Sequence, residues 1–148
     1  MDELEKRAKE VLDLLDFSKN YMYFAHQADI ANTFKEEEFI SVLDSSFSEF
    51  KIYNPFQKHN QENYQLWKKE KGNGMEYYYE VILPNMEAGV YLAFKDKKIG
   101  AGAFHEAEYL IDKGKPVWEI DWNFDLEKIN SMDYSRYLTP DETRERYK

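Results

Sequence analysis

In the run Ile99-Gly100-Ala101-Gly102-Ala103-Phe104-His105-Glu106, two glycines and a carboxylate sit where a loop turns into a helix. Glycine lets the backbone take angles that other residues resist, and it leaves room for a ligand against the chain. A helix start presents N–H groups without intrahelical partners, which favour phosphate, carboxylate or sugar oxygens. Gly100 and Gly102 are therefore expected beside a ligand. Glu106, in the first turn of that helix, has two readings. The helix dipole favours a carboxylate there in a purely structural role. Aimed instead into a crevice, the same group is a nucleophile at a sugar carbon or a general base. Gly-x-Gly alone is also compatible with a plain strand-to-helix turn, so the surrounding elements must decide.

Other chemistries are thinly represented. There is no cysteine, hence no disulfide and no thiolate nucleophile. His26, His59 and His105 have no metal-ligand spacing, and no Gly-Lys-Ser/Thr phosphate loop occurs, so no metal and no cofactor are expected. His105 points about 100° around the helix from Glu106 and reads as a surface or packed histidine. A formal net charge of −9 argues against gripping nucleic acid, which needs clustered Lys and Arg to displace counterions. A small ligand held by backbone amides remains possible. No apolar run reaches membrane-spanning length, and the acidic, amphipathic start is unlike a signal peptide, so a cytoplasmic location is the default expectation.

With 148 residues, 43% hydrophobic and 33% charged, the chain fits one folded domain over residues 1–148. Leu4, Ala8, Val11, Leu12 and Leu15 recur at helical spacing and predict a helix over Asp2–Phe17, ended by Ser18-Lys19-Asn20. Tyr21–Ala25 is almost wholly apolar, as a strand buried on both faces should be. Thr33 and Glu36 have capping-box spacing at the start of a helix whose core face is Phe34, Phe39, Ile40 and Leu43. Further strands are expected at Phe50–Asn54, Gly89–Phe94 and Pro116–Ile120, with a last one at Tyr134–Leu138. Further helices are expected at Glu62–Lys71, Met75–Leu83 and Ala103–Lys113, the last stopped by a left-handed Gly114. Thr139-Pro140-Asp141-Glu142 has the cap, proline and acids of another helix start.

Alternating strands and helices predict a three-layer α/β sandwich with a mainly parallel sheet. Ligands of such sheets sit beyond the carboxyl ends of the strands, where the strand order reverses. If the first strand is central, that crevice lies beside Ala25–Gln27 and the loop after Phe94. Ala25 and His26 then join the candidate ligand contacts.

Taken in order, Gly89-Val90-Tyr91-Leu92, then Gly102-Ala103-Phe104-His105-Glu106-Ala107, then Gly114-Lys115-Pro116-Val117 resemble the nucleoside 2-deoxyribosyltransferase family. Tyr23-Phe24-Ala25 is similar to the Tyr-x-Ala ending that family's first strand, and Ile52-Tyr53-Asn54-Pro55 to the end of its second. The likeness spans roughly Tyr21–Ile120 and leaves the first 18 residues as an added N-terminal helix. It implies a flavodoxin-like (Rossmann-like) sheet and a glutamate nucleophile attacking the anomeric carbon of a deoxyribose. The base leaves, and another base or water resolves the glycosyl-enzyme. On this likeness Glu106 is the nucleophile, Tyr23 supports it, and Gly102 lets the sugar approach. A homo-oligomer acting on a nucleoside or nucleotide is implied.

The chain departs from the family's pattern at three points. His26-Gln27 stand where Gly-Pro is usual, Asn85 stands where an Asp commonly precedes the third strand, and Gly100 stands where another Asp commonly lies six residues before the nucleophile. An Asp can pass a proton to the departing base and Asn85 cannot; Asp96, in the same turn as Gly100, is the candidate substitute. Base transfer, hydrolysis of an N-glycosidic bond, and binding without turnover all stay open.

Overall fold

The computed structural model describes residues 2–148. Helix α1 (Glu3–Leu14) leads into strand β1 (Tyr21–Ala25), helix α2 (Phe34–Ser46) and strand β2 (Lys51–Tyr53). Helix α3 (Lys58–Lys71) and the short α4 (Met75–Tyr77) follow. A π turn over Tyr78–Ile82 and a 3-10 turn over Leu83–Asn85 carry α4 on without a break. Strand β3 (Ala88–Leu92), helix α5 (Ala101–Asp112), strands β4 (Val117–Ile120) and β5 (Leu126–Ile129) and helix α6 (Pro140–Glu145) complete the order.

The five strands run β2-β1-β3-β4-β5, parallel except for β5. This is the flavodoxin-like order 2-1-3-4-5 with the last edge strand reversed, in a three-layer α/β sandwich. β1 is buried at every position, and its alternating side chains feed two separate cores. Tyr21, Tyr23 and Ala25 join Trp67 of α3, Tyr77 and Leu110 of α5 on one face. Met22 and Phe24 join Phe39 and Leu43 of α2 on the other. The strand order reverses between β1 and β3, so their carboxyl ends open a crevice there.

Several expectations need correction. The last strand is not Tyr134–Leu138, which holds a 3-10 turn (Tyr134–Arg136) and a single bridge from Tyr137 to Ile99. The sheet's fifth strand is β5, a charged edge strand with half-exposed ends. Phe34 is not in the core. As the first residue of α2 it points outward and is 89% exposed. The Thr33–Glu36 box is only half made. Thr33 Oγ1 accepts from the Glu36 amide, but the Glu36 carboxylate turns to His26 and Asn54 instead of the Thr33 amide. A charge-assisted partner is stronger than a backbone amide, and it wins. The complete box is at Thr139–Glu142, and Gly114 is left-handed with φ of 76°.

Candidate active site

Tyr23 is the third residue of β1, and its ring rises on the α5 side of the sheet. It stacks beside Tyr53 of β2, with ring centroids 6.2 Å apart. Glu106 lies on the face of α5 that packs on the sheet. The Tyr23 hydroxyl donates to Glu106 Oε2 across 83 residues of sequence. Glu106 is only 7% exposed, and among the described residues no Lys, Arg or His forms an ion pair with it. Burial therefore pushes its carboxyl up to about 8, against the opposing pull of the Tyr23 hydrogen bond. Burial, with the Glu106 charge added, raises the Tyr23 hydroxyl well above its ordinary range. At neutral pH the pair is a carboxylic acid beside a phenol.

This pair forms part of the wall of a cavity of about 660 Å³ at the carboxyl ends of β1 and β3. Phe56, Tyr64 and Tyr78 supply aromatic wall, Gln61 and Gln65 line it beside them, and Gln27 borders it with its carboxamide closed off from solvent. Tyr78 reaches the cavity from the π turn. The wider turn there lets Tyr77 and Tyr78, neighbours in sequence, both be buried. Glu106 is the one carboxylate among the described lining residues, and no Lys or Arg lines the cavity.

Of the residues singled out in the sequence, Tyr23, His26, Gly100, Gly102 and Glu106 meet at this cavity. Ala25 does not line it and is packed in the core. Asn85 precedes β3 and so lies at the opposite end of the strand, where its side chain donates to the Val81 carbonyl at 2.7 Å. Asp96 is also outside the cavity, ion-paired with Arg146 at 2.8 Å. Neither can hand a proton to a group held between Tyr23 and Glu106.

His26 touches the cavity but its ring is committed elsewhere. Nδ1 lies 2.7 Å from the Phe24 carbonyl and Nε2 lies 2.7 Å from Glu36 Oε2, with the side chain wholly buried. Burial pushes the Glu36 carboxyl up. Hydrogen bonds from His26, the Asn32 amide and Asn54 outweigh that push and hold it below the usual carboxylate range. The imidazole is held between a backbone carbonyl and a carboxylate, one contact at each ring nitrogen. His26 thus fastens the loop after β1 to α2.

The glycine turn differs in detail from expectation. The helix already begins at Ala101, which puts Gly102 inside its first turn. The Ala101 amide is occupied by Thr143 Oγ1 of α6 at 2.9 Å, so it is not free for an anion. A Cβ on Gly100 would sit 3.2 Å from Thr143 Cγ2, and its absence lets α6 close over this end. A Cβ on Gly102 would meet nothing within 4 Å. Gly102→Ala should therefore keep or raise thermal stability, by up to about 1 kcal/mol. It should also narrow the cavity where a ligand approaches α5. A melting curve paired with a binding titration checks both halves.

Residues that sequence reasoning did not name also shape the site. Thr143 and Tyr147 come from the C-terminal segment, and the Tyr147 hydroxyl accepts from the Ala28 amide at 3.3 Å. No local pattern marks them, because their role depends on where the chain end is laid down. Gln27 was placed beside the crevice by its position directly after β1, but was not singled out as a ligand contact.

The described helices include none long and apolar enough to cross a membrane. Compared with known proteins, the chain has no significant match to any family model, curated protein or solved structure.

Proposed function

We infer that this protein acts on the N-glycosidic bond of a deoxynucleoside, with Glu106 as nucleophile and Tyr23 as its positioning residue. The observation that carries this reading is a buried Tyr23–Glu106 pair, free of any cation partner among the described residues, lining a cavity at the strand-order reversal. The likeness of Tyr23-Phe24-Ala25 and Gly102–Ala107 to the nucleoside 2-deoxyribosyltransferases supports it from the sequence.

In this reading an ionised Glu106 oxygen attacks C1′ of the sugar. The C1′–N bond breaks, its electron pair stays on the base nitrogen, and the base takes a proton from water. Water or a second base then attacks C1′ and expels the Glu106 carboxylate. Only the ionised fraction of Glu106 is nucleophilic, so the rate should rise with pH through about 8. Tyr23→Phe removes the hydrogen bond that lowers the Glu106 value, so this limb should move to higher pH. A limb that falls with pH through the same region would instead make Glu106 a general acid.

The substrate in this reading is the neutral nucleoside. A 5′-phosphate entering a cavity whose described lining has no Lys or Arg loses hydration and gains no such cation. Base release measured by chromatography should therefore favour deoxynucleosides over their 5′-monophosphates by about tenfold or more in kcat/KM. Equal or better turnover of the monophosphates would overturn that assignment.

A second reading, binding without turnover, is favoured by one observation: Glu106 is the sole described carboxylate at the cavity, so no second acid assists the leaving base. Equal nucleoside affinity for wild type and Glu106→Ala, with no base released by either, would establish it.

A further inference from the structure

Gln27 ends the first strand's path into the cavity and precedes the 3-10 turn Ala28–Ile30 without capping it through its side chain. It is 4% exposed, and neither Nε2 nor Oε1 of its carboxamide has a hydrogen-bond partner among the described residues. Among the described residues it alone has buried side-chain polar atoms left unpaired in this way. The contrast with its neighbours is sharp. Buried His26, Glu36, Asn60 and Asn63 all have partners. A buried amide with neither its donor nor its acceptor used destabilises the fold, so a group of this kind calls for a function.

We propose that the Gln27 carboxamide is the specificity-determining group of the cavity, pairing with a ligand heterocycle that carries a hydrogen-bond donor and an acceptor on adjacent atoms. This rests on the reading of the cavity as a nucleoside site, and the heterocycle is then the base. The matching edges are the N–H beside C=O of hypoxanthine or thymine and the NH2 beside ring nitrogen of adenine or cytosine. A carboxamide turned through 180° serves either. No hydrogen bond has to break for Gln27 to turn toward a ring, and because both polar atoms are closed off from solvent in the free protein the side chain turns as the ligand enters. Phe56, Tyr64 and Tyr78 line the same cavity and supply faces for a planar ring. The volume of about 660 Å³ admits base and sugar together, with Glu106 left for the sugar carbon.

The test exploits two effects of opposite sign. Gln27→Met keeps the length of the side chain and removes both polar atoms; Gln27→Leu serves as a second variant. Melting curves are recorded without ligand, and binding of hypoxanthine, adenine, thymine and cytosine is measured by calorimetry for each protein. The free variants should melt higher than wild type, while binding of the preferred base weakens about 10- to 100-fold. If both variants melt lower, the amide is structural and the proposal falls. If they bind the bases as wild type does, the proposal falls while the cavity remains a base site. If wild type binds no base and releases none from any deoxynucleoside, the nucleoside reading falls as well.

Discussion

Glu106→Gln is expected to reduce base release by roughly a thousandfold or more while making the protein more stable at neutral and alkaline pH. The two effects have one origin. Burial raises the Glu106 carboxyl from an ordinary 4.5 to about 8, so between those values the folded protein holds a proton that the unfolded chain has released. The stability contributed by the protonated group is complete below pH 4.5 and is lost as pH rises through 8, with a slope of up to about 1.4 kcal/mol per pH unit. Accumulated over that window, the loss is on the order of a few kcal/mol. Glutamine keeps the shape and a hydrogen-bonding partner for Tyr23 but has no proton to lose. Denaturant titrations of wild type and Glu106→Gln at pH 5, 7 and 9 should therefore diverge progressively. Parallel curves would show that Glu106 is ionised in the folded protein, and the pH-dependence argument for its role would fail. Retained base release in the variant would remove Glu106 from the chemistry altogether.

How much of this was legible beforehand follows from where the physical signal lies. β1 and β3 were readable because parallel strands covered on both sides need continuous apolar runs, and Tyr21–Ala25 is such a run. β5 was not, because Leu126-Glu127-Lys128-Ile129 is a short edge strand with two exposed charged residues in its middle. Its pattern resembles a loop until β4 is present to pair with it. Phe34 misled for a different reason: an aromatic at the first helical position fits the spacing of a core face but lies one turn too early to be covered. Glu106 was legible as a candidate from its place near a helix start, whereas Tyr23 was joined to it only by the family resemblance. Their meeting depends only on β1 and β3 being neighbours. Asn85 entered through the family resemblance and Asp96 through its place in the turn before α5; Asn85 proves to lie at the far end of β3 from the cavity, and Asp96 is paired with Arg146. Gln27 was the hardest to see, since an unpaired amide is a statement about what surrounds it and not about the residue.

The loop that carries Gln27 depends on a second buried acid, and its titration runs the opposite way. His26 Nε2 and Glu36 Oε2 meet in a buried hydrogen bond, and Glu36 also accepts from the Asn32 amide at 3.2 Å and from Asn54 Nδ2 at 3.0 Å. One carboxylate thus ties together the end of β1, the turn at Asn32, and the residue after β2. His26→Leu leaves that buried carboxylate without one of its hydrogen-bond partners and is expected to cost about 1–3 kcal/mol. Adding Glu36→Leu should recover part of this loss, because removing the acid as well is cheaper than stranding it, although Asn32 and Asn54 then lose their acceptor. Glu36 is held below the ordinary carboxylate value of 4.5, so its contribution is present above that value and lost as pH falls beneath it. Wild type should therefore lose stability on the acid side through Glu36 and on the alkaline side through Glu106, and each variant should flatten only its own flank. The loop link makes a further demand. His26→Leu should also weaken ligand binding, although the His26 ring is wholly buried, because it releases the segment that presents Gln27 to the cavity. A double cycle of His26→Leu with Gln27→Met, read by base affinity, should show clear non-additivity. Strict additivity would mean that the pair stabilises the fold without positioning Gln27.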